Sequence, residues 1–102
     1  MHLVQILLPT YDNEGMAIPR EVFHTIGNEL VARFGGLTAH TRAPAEGLWV
    51  APGHDAKRDD IAVFEVMTPI LEEAWWSQYR KGLEKRLYQE TIVVRSYPIQ
   101  LL

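Results

Sequence analysis

The residues of this sequence that could do chemistry are few, and their types are those that move protons and bind anions. His40 is the candidate proton carrier, because an imidazole titrates near neutral pH, and Glu65 is the second candidate catalytic group. Arg42 and Arg95 are candidates to hold an anion, since a guanidinium pairs with a carboxylate or phosphate through parallel hydrogen bonds. The remaining candidate ligand-binding residues are Gln5, Trp49, which would close over a ligand, and Tyr97, which would form a hydrogen bond to it.

Several other kinds of site and partner find no support. The chain has no cysteine, which excludes disulfides, thiolate metal sites and cysteine nucleophiles. Its four histidines lack the close spacings that place two ligands on one helix face, so we expect no metal and no cofactor. A formal net charge of −3 argues against a nucleic-acid partner. With no apolar run near the roughly 20 residues of a membrane span and no signal sequence, we expect a cytoplasmic protein without a membrane partner.

Apolar periodicity and turn residues divide the chain into six elements of one domain, residues 1–102. The first helix opens at Pro19 and stops at Gly35-Gly36, and the second runs over 68–89 with Thr68 as its cap. The predicted strands are 2–9, 37–42, 60–67 and 91–97.

The segment 43–58 is interrupted by prolines and glycines and contains Trp49. We interpret it as a hairpin arm with Pro52-Gly53 at its tip, and a lid or binding loop is the alternative. The element order is then β-α-β-β-α-β, which predicts an α+β, ferredoxin-like domain. In this architecture two helices cover one face of a four-stranded antiparallel sheet.

Alternate residues of a strand point to opposite faces of a sheet, so the sequence assigns each strand residue to a face. The face expected to meet the helices is almost purely apolar and carries Val4, Ile6, Leu8, Leu37, Ala39, Ala62, Phe64, Val66, Ile92 and Val94. The opposite face, called the helix-free face below, carries Leu3, Gln5, Leu7, Thr38, His40, Arg42, Ile61, Val63, Glu65, Val93, Arg95 and Tyr97.

The helix-free face is too apolar for the solvated side of an open sheet. A second copy of the chain, packed sheet against sheet as a two-fold homodimer, is the simplest cover. We expect one indole of the adjacent pair Trp75-Trp76 at this intersubunit contact, because neighbouring helical residues lie about 100° apart.

Charged groups on a covered face need partners. One interpretation is structural, with Glu65 paired to Arg95 or Arg42. The other is a pocket lined by these groups, between the sheet, the Trp49 loop and the partner copy. A strand register shifted by one residue would exchange the two faces and remove both interpretations.

Three short segments carry a resemblance to known proteins: Arg33-Phe34-Gly35-Gly36-Leu37-Thr38, Gly47-Leu48-Trp49, and Tyr88-Gln89-Glu90-Thr91-Ile92-Val93-Val94-Arg95. With them the chain resembles the ferredoxin-like families that form dimeric α/β barrels and, more narrowly, small uncharacterised bacterial proteins of the DUF3574 family. The resemblance implies the fold and a homodimer, and the narrower family has no catalytic residues to carry over. The wider superfamily includes cofactor-independent monooxygenases, isomerase-like and dehalogenase-like enzymes and haem-handling proteins, so the fold alone selects no activity.

Two functions from different classes stay open on these residues. In the first, the chain is a small-molecule-binding dimer, a cofactor-independent enzyme that acts on a small anionic or aromatic compound. In the alternative, it is a non-catalytic dimerisation or regulatory module whose polar residues serve only structure. A void of ligand size, about 300 Å³ or more, beside Glu65 and Arg95 in the dimer would favour the first, and a filled interface would favour the second.

Overall fold

The computed structural model describes the backbone of residues 1–50 and 56–102 and the side chains of residues 1–40 and 61–102. The elements are β1 (His2–Pro9), α1 (Arg20–Phe34), β2 (Thr38–Val50), β3 (Ala56–Thr68), α2 (Glu73–Arg86) and β4 (Val93–Pro98). The strands form one antiparallel sheet in the order β2-β3-β1-β4. This order confirms the predicted α+β fold with the β-α-β-β-α-β topology of ferredoxin-like domains.

One face of the sheet packs against both helices, as the alternation of the strands predicts. The buried cluster joins Val4, Ile6 and Leu8 of β1 to Phe64 and Val66 of β3 and to two residues of α1, Ile26 and Leu30. Leu83 of α2 belongs to the same cluster. Ala39 is exposed, contrary to its assignment to the core, because β2 is an edge strand with a single neighbour.

Helix α1 ends where the double glycine predicts. Gly35 adopts a left-handed backbone with φ of 82°, and its N–H donates a 2.8 Å hydrogen bond to the carbonyl of Val31. A side chain at such a position would collide with the backbone, which is why glycine favours the end of a helix. At the other end Pro19 directly precedes the first helical residue.

Helix α2 is shorter than the sequence predicts, spanning Glu73–Arg86 rather than 68–89. Thr68 is the buried last residue of β3, and its hydroxyl donates a hydrogen bond to the carbonyl of Ile70 instead of capping the helix. A following proline disfavours the helical backbone conformation for the residue before it, and Pro69 therefore keeps Thr68 extended. At the other end Tyr88 has a positive φ of 51°, so the helix stops before it.

The predicted hairpin arm is confirmed by the backbone pairing of β2 with β3. The ladder continues to Val50 opposite Ala56, with a shift of register between His40 and Ala45. Strand β1 pairs with β3 only as far as Ile61, so the end of the hairpin extends beyond the four-stranded body. The predicted tip, Pro52-Gly53, lies outside the described residues.

Trp75 and Trp76 both lie in the helical layer, so neither indole is on the helix-free face where a contact with a second copy is expected. The ring of Phe34, from the end of α1, stacks on Trp76 and meets Trp75 edge-on, with centroids 5.1 and 5.3 Å apart. Trp76 is buried, and the guanidinium of Arg33 covers the Trp75 ring at 4.1 Å. The two indoles therefore join α2 to α1, because Phe34 is large enough to contact both.

A second contact between the helices is polar. Glu29 of α1 accepts hydrogen bonds from the Tyr79 hydroxyl and from Arg86 of α2 at the same oxygen. Partial burial alone would raise the pKa of Glu29. The hydrogen bonds from Arg86 and Tyr79 lower it by more, so the pKa of Glu29 lies below its ordinary value. Burial, and then the hydrogen bond to Glu29, raise the pKa of Tyr79.

Glu84 of α2 links the helix by a hydrogen bond to the segment that leads into β4. Its carboxylate accepts the backbone N–H of Ile92 and a guanidinium N–H of Arg80, both at 2.9 Å. The hydrogen bond from Ile92 holds the pKa of Glu84 below its ordinary value, against the effect of partial burial and with the help of Arg80.

We expect Glu84→Gln to lower the free energy of unfolding at neutral pH by about 1 kcal/mol, because hydrogen bonds to a charged acceptor are the stronger ones. The folded-state pKa of Glu84 lies below its unfolded value, so the stability that it contributes is present above the ordinary pKa of 4.5 and is lost as the pH falls through the folded value. The variant should therefore lose less stability on acidification than the wild type, measured by urea unfolding at a series of pH values. The control is Glu73→Gln in the first turn of α2, and equal acid dependence in the two variants would contradict the role of Glu84.

Candidate functional site

Five of the seven predicted site residues, Gln5, His40, Glu65, Arg95 and Tyr97, fall on the helix-free face, in rows that the strand register defines. Gln5 of β1 is paired with Glu65 of β3 on one side and with Arg95 of β4 on the other. Thr38 of β2 is paired with Glu65 and completes this polar row across all four strands. His40 lies two residues further along β2, opposite Val63.

Apolar side chains surround the polar row. On one side of it lie Leu3, Met67 and Tyr97, and on the other lie Leu7, Val63 and Val93, each set paired across three strands. The exposed fractions of Met67, Val93 and Tyr97 are 53%, 47% and 46%, which are high for large apolar residues in strands. The protomer thus presents a sheet face whose centre is polar and whose flanks are apolar.

His40 and Glu65 form a hydrogen-bonded pair, with Nε2 of the imidazole 2.8 Å from Oε1 of the carboxylate. Because an ionised carboxylate can only accept, Nε2 is the donor in that state, and Nδ1 then carries the lone pair of a neutral ring. Glu65 thereby orients the imidazole and selects its tautomer. The His40 side chain is 54% exposed and that of Glu65 is 21% exposed, so the pair is open to a ligand on the histidine side.

Arg95 and Gln5 form the second polar pair. The Nε–H of Arg95 donates a 2.8 Å hydrogen bond to the side-chain oxygen of Gln5. This bond draws the guanidinium toward β1 and leaves its terminal N–H groups as the donors that could hold a carboxylate. Tyr97 follows two residues later on the same face of β4 and is paired with Leu3.

The predicted pairing of Glu65 with Arg95 is wrong within the protomer, and its place is taken by the bond to His40. The physical reason is the strand order. Strand β1 lies between β3 and β4, so Gln5 separates the two charged residues, whose backbones are about 10 Å apart at two strand spacings. The sequence pattern assigns both residues to one face but does not say which strands are neighbours. The side chains of Arg42 and Trp49 lie outside the described residues.

A cleft that the sequence does not predict lies on the helical side of the protein. It is a cleft of about 510 Å³ along the second half of α2, lined among others by Lys81, Lys85, Gln89 and Glu90. Charges of both signs line it, and no sequence motif indicates it, because it arises only where the helix meets the following turn. Among the described side chains no group of three metal-ligating residues could hold an ion, and none of the described helices has the length and apolar character of a membrane span.

Comparisons with known proteins identify no relative of this chain. No protein-family model, curated protein or solved structure matches the chain. The resemblance to the DUF3574 family and to dimeric α/β barrels therefore stays a prediction, and the candidate site rests on its own residues.

The helix-free face carries two kinds of group that proton transfer on an anion needs, a candidate base and a cation. An imidazole hydrogen-bonded to a carboxylate, as His40 is to Glu65, is an arrangement that can act as a general base. Arg95 supplies a charge of the sign that a carboxylate needs, and the apolar flanks favour an organic ligand over a hydrated inorganic ion.

The hydrogen bond between His40 and Glu65 should appear as a coupling free energy. In a double-mutant cycle of His40→Ala and Glu65→Ala, we expect the two residues to stabilise each other by about 0.5 kcal/mol at neutral pH, as for other partly exposed pairs. The measurement is the free energy of unfolding of the wild type, both single variants and the double variant. The matched cycle of Glu65 with His24, an exposed histidine of α1, should give no coupling. Equal values in the two cycles would show that the contact between His40 and Glu65 contributes nothing to stability in solution.

Proposed function

We propose that the protein is a homodimer joined through its helix-free faces and that it binds a small organic anion at the polar row. On this proposal His40 and Glu65 move a proton of the ligand, and Arg95 holds its negative group. Gln5 positions the guanidinium, and Tyr97 together with the sequence-predicted residues Arg42 and Trp49 completes the binding region. No cofactor enters the proposal, and the reaction class is a proton transfer, in which the base returns the proton that it removes.

The observation that carries the proposal is the composition of one sheet face. An imidazole oriented by a carboxylate and a guanidinium oriented by an amide lie there among exposed apolar side chains. Exposed apolar surface of this kind marks interaction sites, and removing it from water is the main driving force for association. Oriented polar groups beside such a surface are what a small-molecule site requires.

The second candidate function is a non-catalytic dimerisation or regulatory module, and one observation favours it. The four polar side chains at the centre of the face already form two hydrogen-bonded pairs within the protomer. Such pairs can be covered by a second copy with less desolvation cost than unpaired groups, so they need no ligand. The two functions therefore differ in whether the dimer leaves a void beside Glu65 and Arg95.

Benzoate is a suitable probe, because it combines one carboxylate with an apolar ring. We expect it to shift the methyl resonances of Leu3, Leu7 and Val63 in NMR titrations of the intact protein. Replacement of Arg95 by Ala should weaken benzoate binding at least tenfold, since a charge-assisted hydrogen bond contributes roughly 1.5 kcal/mol or more.

Two controls make this test specific. Arg20→Ala removes an exposed arginine at the start of α1 and should leave the affinity unchanged. Benzyl alcohol has the same ring without the charge and should bind the wild type and the Arg95→Ala variant equally weakly. If benzoate shifts none of these methyl groups, or binds both arginine variants as well as the wild type, the anion site is refuted and the module is the better account.

A further inference from the structure

The polar row of the helix-free face is electrically asymmetric about its central strand. Glu65 lies one strand to one side of Gln5, and Arg95 lies one strand to the other side. The row therefore has a negative and a positive half, equally spaced about β1. A surface of this kind is complementary to itself, because a two-fold axis can bring the negative half of one copy onto the positive half of another.

Two simple two-fold arrangements bring the helix-free faces of two copies together. An axis that crosses the strands at right angles, along the polar row, sets Glu65 opposite Glu65 and Arg95 opposite Arg95, so like charges meet. An axis parallel to β1 exchanges the two sides of the sheet and sets each Glu65 opposite Arg95 of the partner subunit. Like charges facing each other across an interface cost several kcal/mol, so electrostatics selects the second arrangement.

The apolar residues on both sides of the polar row are also compatible with a two-fold axis parallel to β1. An axis parallel to β1 keeps each row facing its own copy, so Leu7 meets its equivalent and Val63 meets Val93 of the partner subunit. In the other flank Met67 meets Tyr97 of the partner subunit. Packed sheets cross at about 30°, which displaces facing residues one strand from the axis by only about 2.5 Å, within the reach of long side chains.

The arrangement with the axis parallel to β1 also explains how one small anion could contact both His40 and an Arg95 side chain. Within one protomer His40 on β2 and Arg95 on β4 are three strand spacings apart, about 14 Å, which is too far for one small anion to contact both. Arg95 of the partner subunit, by contrast, lies opposite Glu65, the residue that His40 contacts.

We infer that the site is shared between the subunits, with His40 and Glu65 from one copy and Arg95 from the other, so that neither copy has a complete site alone. The inference rests on the proposed homodimer. Strand β2 lies two strands from the axis, and no strand of the partner subunit faces it. His40 is therefore at the rim of the interface, where a small organic anion can enter, while Glu65 lies inside the interface.

The test uses charge reversal and mixing. Glu65→Lys alone places two pairs of positive charges across the interface, and Arg95→Glu alone places two pairs of negative charges. Each variant should dimerise at least about 100-fold more weakly than the wild type. When the two variants are mixed, both pairs in the heterodimer again join opposite charges, so native mass spectrometry should show a 1:1 heterodimer in excess of either homodimer. The double variant Glu65→Lys/Arg95→Glu should dimerise again on its own.

The controls separate this inference from loss of folding and from the proposed function. Glu14→Lys and Lys81→Glu make the same charge changes at exposed residues away from the helix-free face and should leave dimerisation unchanged. Circular dichroism checks that each variant is folded. If the wild type dimerises but each single variant dimerises as tightly as the wild type, as the axis along the polar row would give, or if mixing gives no excess of heterodimer, the shared site is refuted and the homodimer stands. If the wild type itself is monomeric, the proposed function fails as well.

Discussion

The central feature of the structure is that the chain's own helices cover one face of the sheet and leave the helix-free face uncovered. The helices bury Val4, Ile6 and Leu8 of β1 on that side. The opposite face exposes Met67, Val93 and Tyr97 beside two pairs of polar groups. Exposed apolar surface of this kind favours association, and hydrogen-bonded polar pairs cost less to remove from water than unpaired groups. The proposed homodimer and the proposed shared anion site both rest on that combination.

Much of the fold could be predicted from the sequence, because its signals are local. Alternation of apolar residues in β1 and β3 assigns the two faces correctly, and the buried residues Val4, Ile6, Phe64 and Val66 lie where it places them. Gly35 marks the end of α1 through its positive φ. The β-α-β-β-α-β order then leaves few topologies, and the observed strand order is the ferredoxin-like one.

The details that could not be predicted depend on contacts between distant parts of the chain. Alternation places Glu65 and Arg95 on one face, but only the strand order shows that Gln5 separates them and that His40 is within reach of Glu65. The start of α2 was misplaced because Thr68 resembles a helix cap while its backbone belongs to β3. The Trp75 and Trp76 rings pack on Phe34, a contact that no periodicity of α2 alone reveals.

Sedimentation equilibrium of the wild-type chain tests the central claim most directly, since the claim is that the uncovered sheet face is occupied by another copy. At micromolar concentration and physiological salt, the account predicts a species of about twice the 11.7 kDa mass of the chain. An ideal single species of 11.7 kDa over the whole concentration range would contradict it.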